Sequence, residues 1–418
     1  NQLFSLPGHT NEMAYEVNIQ GYRVRCLDAI SEIAQYQWDA LAVHAATGGP
    51  FVQYSWLALL ENTGCVGQDT GWQPAHWVIY KDDVLVALVP GYVKTDSYGE
   101  YVFDHSWANA YHQHGFAYYP KWIAAIPFTP VTGPRLLLRP GTQLNECLST
   151  LKQAQEAWAN QSGISSFHWL FHDHNCNDFE QLALPTRRSV QFQWVNRNYS
   201  TFDDFLAVLT SRKRRDIRKT RQRLAGNGLD IQTLTGEQLT TAHMTTFVAC
   251  YQDTYLKRSG HTGYLTPAFF YGLQEIMADN VCLVMASLDE QPIASALFLY
   301  DKTGLYGRYW GCLQDIDSLH FECCYFRGID FAIEKQLPVF NPGTQGEHKI
   351  LRGFEPIFCY SQHAMRHPDF HQAVDNFLQQ ESPVIEQYFN QAQDVLPFNN
   401  TFITKYININ NKPSSDDI

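Results

Sequence analysis

Paired cysteines are missing from this chain. Its 418 residues hold ten cysteines, scattered with no C-x-x-C pair, and several sit in apolar runs such as Val281-Cys282-Leu283. That spacing argues against a disulfide frame and for reduced, buried thiols in a cytoplasmic protein. No apolar stretch reaches the length of a bilayer crossing, so no membrane span is expected. The first residues are polar, without a basic start and an apolar core, so no signal peptide is expected; Asn1 suggests that the natural start lies upstream. No G-x-S-x-G elbow and no H-E-x-x-H helix occur, which speaks against serine-hydrolase and zincin chemistry. His172-Asp173-His174-Asn175-Cys176 and His112-Gln113-His114 look ligand-like, but no second motif completes four ligands, and no metal is expected. Charge is also scarce, at 17% of residues against about 25% in ordinary proteins.

Apolar and aromatic residues are plentiful, at 45% and 14%. They predict large cores or lined pockets in a chain long enough for two or three domains. Net charge is −12, but it is unevenly spread. Residues 211–223 hold eight basic residues and one acid, Asp216, leaving 22 basic against 41 acidic residues elsewhere. A basic segment on an acidic body predicts a local anionic partner. A helix over 205–224 would dock by Leu206, Leu209, Ile217 and Leu224. Arg212, Lys213, Arg214, Arg215, Arg218 and Lys219 would then form an anion- or RNA-binding face. The alternative is a solvated face paired with the acidic body.

Residues 341–354 read Asn-Pro-Gly-Thr-Gln-Gly-Glu-His-Lys-Ile-Leu-Arg-Gly-Phe. Gly343 and Gly346 permit positive φ, and Pro342 fixes φ. A constrained loop carrying an acid, an imidazole and two cations suits proton movement and charge stabilisation. Glu347 and His348 are therefore candidate catalytic groups. Lys349 and Arg352 are candidate binders of phosphate or carboxylate. A tight turn with a solvated rim is the plainer reading.

The chain repeats once. Residues 76–89 and 283–296 each read strand, two-residue acidic turn, strand, with Ala87 and Ala294 at matching places. Tyr98-Gly99-Glu100-Tyr101 and Tyr306-Gly307-Arg308-Tyr309 lie at nearly the same offset. Helices are expected at 51–60 and 267–277 before the hairpins, and at 143–160 and 319–336 after them. Strands at 166–171 and 339–340 follow. Each half thus reads helix, hairpin, strand, helix, strand: an α/β (α+β) layer of helices on mixed, mostly antiparallel sheets. Domains are expected at 22–200 and 201–380, with a carboxy-terminal helix and a disordered tail in 381–418. A Ser or Thr cap near 200 should start the second.

This order is that of the GNAT acyltransferase fold, and two such units resemble the FemAB group. The closer resemblance is to bacterial FemAB-like predicted N-acyltransferases, over about residues 25–380. It is carried by Ser97-Tyr-Gly-Glu-Tyr-Val-Phe-Asp104, Pro127-Phe-Thr-Pro-Val-Thr-Gly-Pro-Arg-Leu136, Leu305-Tyr-Gly-Arg-Tyr-Trp-Gly311, His320-Phe-Glu-Cys323, Gly346-Glu-His-Lys349 and Arg352-Gly-Phe354. The resemblance implies transfer of an acyl or aminoacyl group to an amine, with no bound cofactor. The activated donor, aminoacyl-tRNA or acyl-CoA, would be a co-substrate. Fem relatives use aminoacyl-tRNA and extend the peptide of peptidoglycan precursors, so tRNA or a phosphorylated precursor is the expected partner. Acetyl-CoA enzymes of this fold carry a Q/R-x-x-G-x-G/A turn whose N–H groups meet pyrophosphate. Here the corresponding junctions, Leu138–Thr142 and Gly311–Ser318, do not fit, and the second carries Asp315 and Asp317.

Within that frame, Glu322 is a candidate general base, on a helical face with Phe326, Ile329 and Ile333 that should be buried. His320 lies nearby. Strand alternation places Tyr306, Arg308 and Trp310 on one face, with Tyr309 beside them. Tyr98, Glu100 and Asp104 form a second candidate substrate-binding group. If the repeat holds, Glu100 sits where Arg308 does, and the two would pair between halves. Two other functions compete: a CoA- or carrier-protein-dependent N-acyltransferase on a small amine, and a catalytically silent GNAT pair that binds RNA.

Overall fold

A two-residue acidic turn closes the hairpin of each half. Asp82-Asp83 and Asp289-Glu290 all adopt positive φ, the conformation that closes a two-residue hairpin in register with strand twist. The computed structural model describes residues 15–174, 184–344 and 346–407. Cys176 and the tail 408–418 lie outside them.

The first half runs β1 (Glu16–Ile19), β2 (Tyr22–Leu27), α1 (Gln35–Ala42), α2 (Tyr54–Asn62), β3 (Trp72–Pro74), β4 (His76–Lys81), β5 (Val84–Val89), β6 (Gly91–Lys94), α3 (His105–Gln113), β7 (Lys121–Ala124), β8 (Leu137–Leu138), α4 (Leu144–Ser162), β9 (Ser166–Leu170) and β10 (Thr186–Val195). The second runs α5 (Phe202–Ala207), α6 (Ser211–Ala225), β11 (Leu229–Thr235), α7 (Thr241–Ser259), α8 (Pro267–Met277), β12 (Val281–Leu288), β13 (Gln291–Asp301) and β14 (Gly304–Cys312). Then come α9 (Leu319–Glu334), β15 (Val339–Asn341), β16 (Glu355–Met365) and α10 (Pro368–Asp394). The helix–hairpin–strand–helix–strand order of the sequence is present in both halves.

β1-β2-β4-β5-β8 form one sheet, and β11-β12-β13-β14-β15-β10-β16-β9-β7-β6-β3 form the other. The long sheet is nearly symmetric about its centre. β7 pairs in parallel with β9, as β14 does with β15. Each half then lends a strand to the other. β10 follows β9 in sequence but bonds to β15, and β16 follows β15 but bonds to β9. β10 and β16 pair with each other over eight residues. The core follows suit: α2 packs on α8, with Trp56 and Phe269 edge to face at 5.2 Å, and one apolar cluster draws on both halves.

Two sequence expectations change. The basic segment is two helices, α5 and α6, because residues 208–210 bond instead to the distant 397–399: Thr210 N–H donates to the Pro397 carbonyl and Asn399 N–H to that of Val208. Its apolar stripe is nonetheless buried as expected, and Thr201 caps α5 through the Asp204 amide. The Tyr98–Tyr101 match to Tyr306–Tyr309 is not structural. Residues 98–101 lie in the loop before α3, and the counterpart of β14 by strand pairing is β7.

Candidate active site

The groove begins where β14 and β15 part. They pair only at Leu305–Phe340 and Tyr306–Asn341. Beyond Asn341 the chain turns away through Pro342 and Gly343. Gly343 and Gly346 take φ of +102° and +113°, a region that side chains with a Cβ resist. The opening, about 830 Å³, is within the roughly 300–1,000 Å³ usual for ligand sites.

Three irregularities aim side chains into it. On β14, Tyr309 opposes Leu297 and Gly307 opposes Phe298, so Arg308 is an extra, bulged residue. The bulge takes Tyr306 off the face it was expected to share with Arg308 and Trp310, since an inserted residue resets alternation. Tyr306 is buried in the core between the halves, while Arg308 and Trp310 both line the groove, Trp310 beside His320. The Arg308 guanidinium donates to the Phe128 carbonyl. On α9, a π turn over Glu322–Phe326 adds one residue to the helical repeat. His320, Cys324 and Tyr325 reach the groove, while Glu322, Cys323 and Phe326 turn inward. On the 342–349 loop, Lys349 is 2% exposed and donates to the Gly343 carbonyl at 2.8 Å. Tyr255 and Arg258 from α7 and Tyr264 complete the wall.

Among the described residues no acid lines this groove. In a body of net charge −12, it presents Arg258, Arg308 and Lys349 with His261, His320 and His348. Burial lowers Lys349 to about 8. Burial, then the neighbouring His348 and Arg258, lower His320 to about 4, so it is neutral at physiological pH. Burial also lowers His348, whose Nε2 lies 2.7 Å from the Tyr325 hydroxyl in a hydrogen bond. The thiol of Cys324 is raised well above its ordinary value by burial, so it is no thiolate nucleophile.

The structure thus brings together His320, His348, Lys349, Arg308 and Tyr309, and leaves other candidates outside. Glu322 is buried but does not face the groove. Its carboxylate takes a fork from Arg221 (3.0 and 2.9 Å) and a bond from Arg327 at 3.0 Å. Three charge-assisted donors leave it an anchor, not a base. Glu347 is exposed and accepts from the Tyr388 hydroxyl on α10. Arg352 lies behind the wall, stacked 3.4 Å from the Phe321 ring centroid and bonded to the His348 carbonyl. Tyr98 is exposed. Glu100 and Asp104 are buried on Lys121, at 2.8 and 2.5 Å, so the expected pair of Glu100 with Arg308 does not form. Burial raises Glu100 to about 7, against the pull of Lys121. Burial alone would raise Asp104, but Lys121 and its hydrogen bonds hold it at about 2. These two anchored acids bracket residues 101–103, and Tyr101 reaches the groove.

Sequence reasoning missed Tyr255, Arg258 and Tyr264. Tyr251, Tyr255 and Arg258 stand at helical spacing on α7, a readable stripe that looks like core. On α6, Arg221, Arg223 and Arg218 pair with acids. Among the described residues Arg212, Lys213, Arg215 and Lys219 have no ion-pair partner. Burial lowers Lys213, and the nearby Arg352 adds to the shift, so this end of the helix lies toward Arg352, behind the groove wall. Among the described residues no three His, Cys, Asp or Glu side chains converge on a metal site, and no helix is long and apolar enough to cross a membrane.

Residues 29–400 match the model of the FemAB-like family, described as peptidoglycan biosynthesis/recognition. No curated protein sequence matches the chain. Among solved structures it is similar to FemX, with TM-score 0.52 and 10% identity over 82% of this chain and 98% of that one. It is also similar to the C-terminal domain of a putative lysylphosphatidylglycerol synthetase from Agrobacterium fabrum, with TM-score 0.51 and 9% identity over 83% and 95%. At such identities the likeness is one of fold.

Proposed function

The chain belongs to the FemAB-like family, and on that premise we propose that it moves an acyl or aminoacyl group from an anionic carrier, aminoacyl-tRNA foremost, to an amine held at the groove. It is an N-acyl- or aminoacyltransferase of tandem GNAT fold. The observation that carries the finer reading is the acid-free, cationic groove in an acidic protein, with the unpaired cations of α6 beside its wall. Phosphates on α6 would leave the acyl end of the carrier to enter the groove.

The chemistry follows from the groove. The amine nitrogen bonds to the carbonyl carbon, and the carbonyl oxygen gains charge beside Lys349. Lys349 keeps two N–H donors beyond its bond to Gly343, enough to hold an oxyanion. The tetrahedral adduct then breaks its C–O bond to the carrier. His320, neutral and without an acid partner, takes the proton leaving nitrogen and returns it to the departing oxygen. The junction before α9 supports this donor over CoA, because residues 311–318 lack the glycine-rich turn whose N–H groups would meet pyrophosphate.

The test is filter binding of deacylated tRNA and of CoA to the full chain at two salt concentrations, with Arg212→Ala/Arg215→Ala in parallel. The reading expects salt-sensitive tRNA binding that the double variant weakens. Binding of CoA alone refutes it.

A further inference from the structure

The groove has a side chamber. Tyr101 and Thr344 line both the groove and a second pocket of about 260 Å³. This pocket lies between β10, β16, residues 101–103 and α10. We propose that it seats the second substrate, a primary amine on an apolar or aromatic body, with its nitrogen at the Tyr101–Thr344 neck. The inference rests on the transferase reading.

Position is the first argument. Transfer between two bound molecules needs two seats that meet, and the neck is where these two cavities share a wall. Charge is the second. The groove holds cations and no acid. In the side chamber, by contrast, the ionic groups already satisfy one another. Arg187 places a fork on Glu381 at 2.9 and 2.8 Å and gives its third bond to the Phe103 carbonyl at 2.6 Å. Arg188 is taken up by Ser382 and Glu386. An amine must be neutral to attack, and a pocket with no unpaired carboxylate does not favour its charged form. The two seats therefore sort their occupants: anion in one, neutral amine in the other.

Surface is the third. The chamber is walled by Phe103, Phe171, Val190 and Ile385, and Phe103 is 65% exposed at its mouth. Val384, next to Ile385 on α10, is 63% exposed. A carbon-rich body would be covered inside and met by apolar surface at the rim. The wall is also a fixed one, because Glu100 and Asp104 pin both ends of residues 101–103 to Lys121.

The experiment uses two probes on the full chain by isothermal titration, phenethylamine for the chamber at pH 9 and inorganic pyrophosphate for the groove at pH 7, where Lys349 carries its charge. Ser189 lines the chamber from β10, is exposed, and has no side-chain hydrogen bond among those the structure shows. Ser189→Phe, and Ile385→Trp from the opposite wall, should each weaken the amine about ten-fold or more and leave pyrophosphate within about two-fold. Lys349→Met should do the reverse. Amine binding that survives both fillings, that pyrophosphate displaces, or that is absent from the parent protein overturns the proposal. Failure of the transferase reading registers separately, as loss of tRNA and pyrophosphate binding while the amine seat remains.

Discussion

Replacing Glu322 with Gln separates an anchor from a base. The carboxylate is 3% exposed and accepts three bonds from Arg221 and Arg327. Hydrogen bonds to charged groups each contribute about 1.5–3 kcal/mol. Arg221 and Arg327 keep 23% and 31% of their side-chain surface in solvent, so the low end applies. Glutamine retains one acceptor oxygen and turns an amide N–H₂ toward a guanidinium. The net cost should be about 2–3 kcal/mol. Unfolding entropy of about 2.1 cal/mol/K per residue gives roughly 0.9 kcal/mol per degree for a chain of this length, so Tm should fall by about 2–4 °C. A lost general base would instead slow the chemical step about 10²–10⁴-fold. Glu322→Gln should therefore melt earlier by calorimetry and keep its single-turnover transfer rate within about three-fold of the parent. A hundred-fold slower rate at unchanged Tm would refute the argument and restore Glu322 as the base.

Four further outcomes follow from the same geometry. Lys349 acts as a cation with a folded pKa near 8, so transfer should fall as pH rises through that value, and His320 protonation near 4 should close the acid side; a profile flat from 6 to 10 in stopped-flow transfer would count against Lys349. The same depressed lysine binds its proton more weakly folded than unfolded, so its burial costs stability below pH 8, and Lys349→Met should raise Tm at pH 7 relative to the parent more than at pH 10. Changing Arg212, Arg215 and Lys219 to Ala together should lower the salt slope of tRNA binding by about 2–3 with Tm unmoved, as three lost phosphate contacts require. Gly311→Ala would drive a Cβ to 2.0 Å from the Cys250 carbonyl oxygen of α7, and should cost about 3 kcal/mol or more by denaturant melt.

What the sequence displayed was local. Alternation around Asp82-Asp83 and Asp289-Glu290 marked both hairpins, and the helices 267–277 and 143–160 were found nearly to the residue. Gly343 and Gly346 mark the positive-φ loop in the sequence itself. What it hid was long-range or out of period. The exchange of β10 and β16 depends on partners far apart in sequence, and no periodicity encodes it. The extra residue at Arg308 took Tyr306 off the face of Arg308 and Trp310, which strict two-residue counting cannot register, whereas Glu322, Phe326, Ile329 and Ile333 are buried together as their spacing predicts. Glu322 looked like an unpaired buried acid because its partner, Arg221, lies 101 positions earlier. The Tyr-Gly-x-Tyr match misled for the opposite reason: four residues are too few to outweigh strand pairing.

The most direct test of the central claim offers one labelled acyl group on two carriers, aminoacyl-tRNA and acyl-CoA, to the parent protein and to Lys349→Met with phenethylamine present. The account predicts amide product from aminoacyl-tRNA with the parent, and a rate about a hundred-fold lower or worse with the variant. Product from acyl-CoA alone, or an undiminished rate in Lys349→Met, would contradict it.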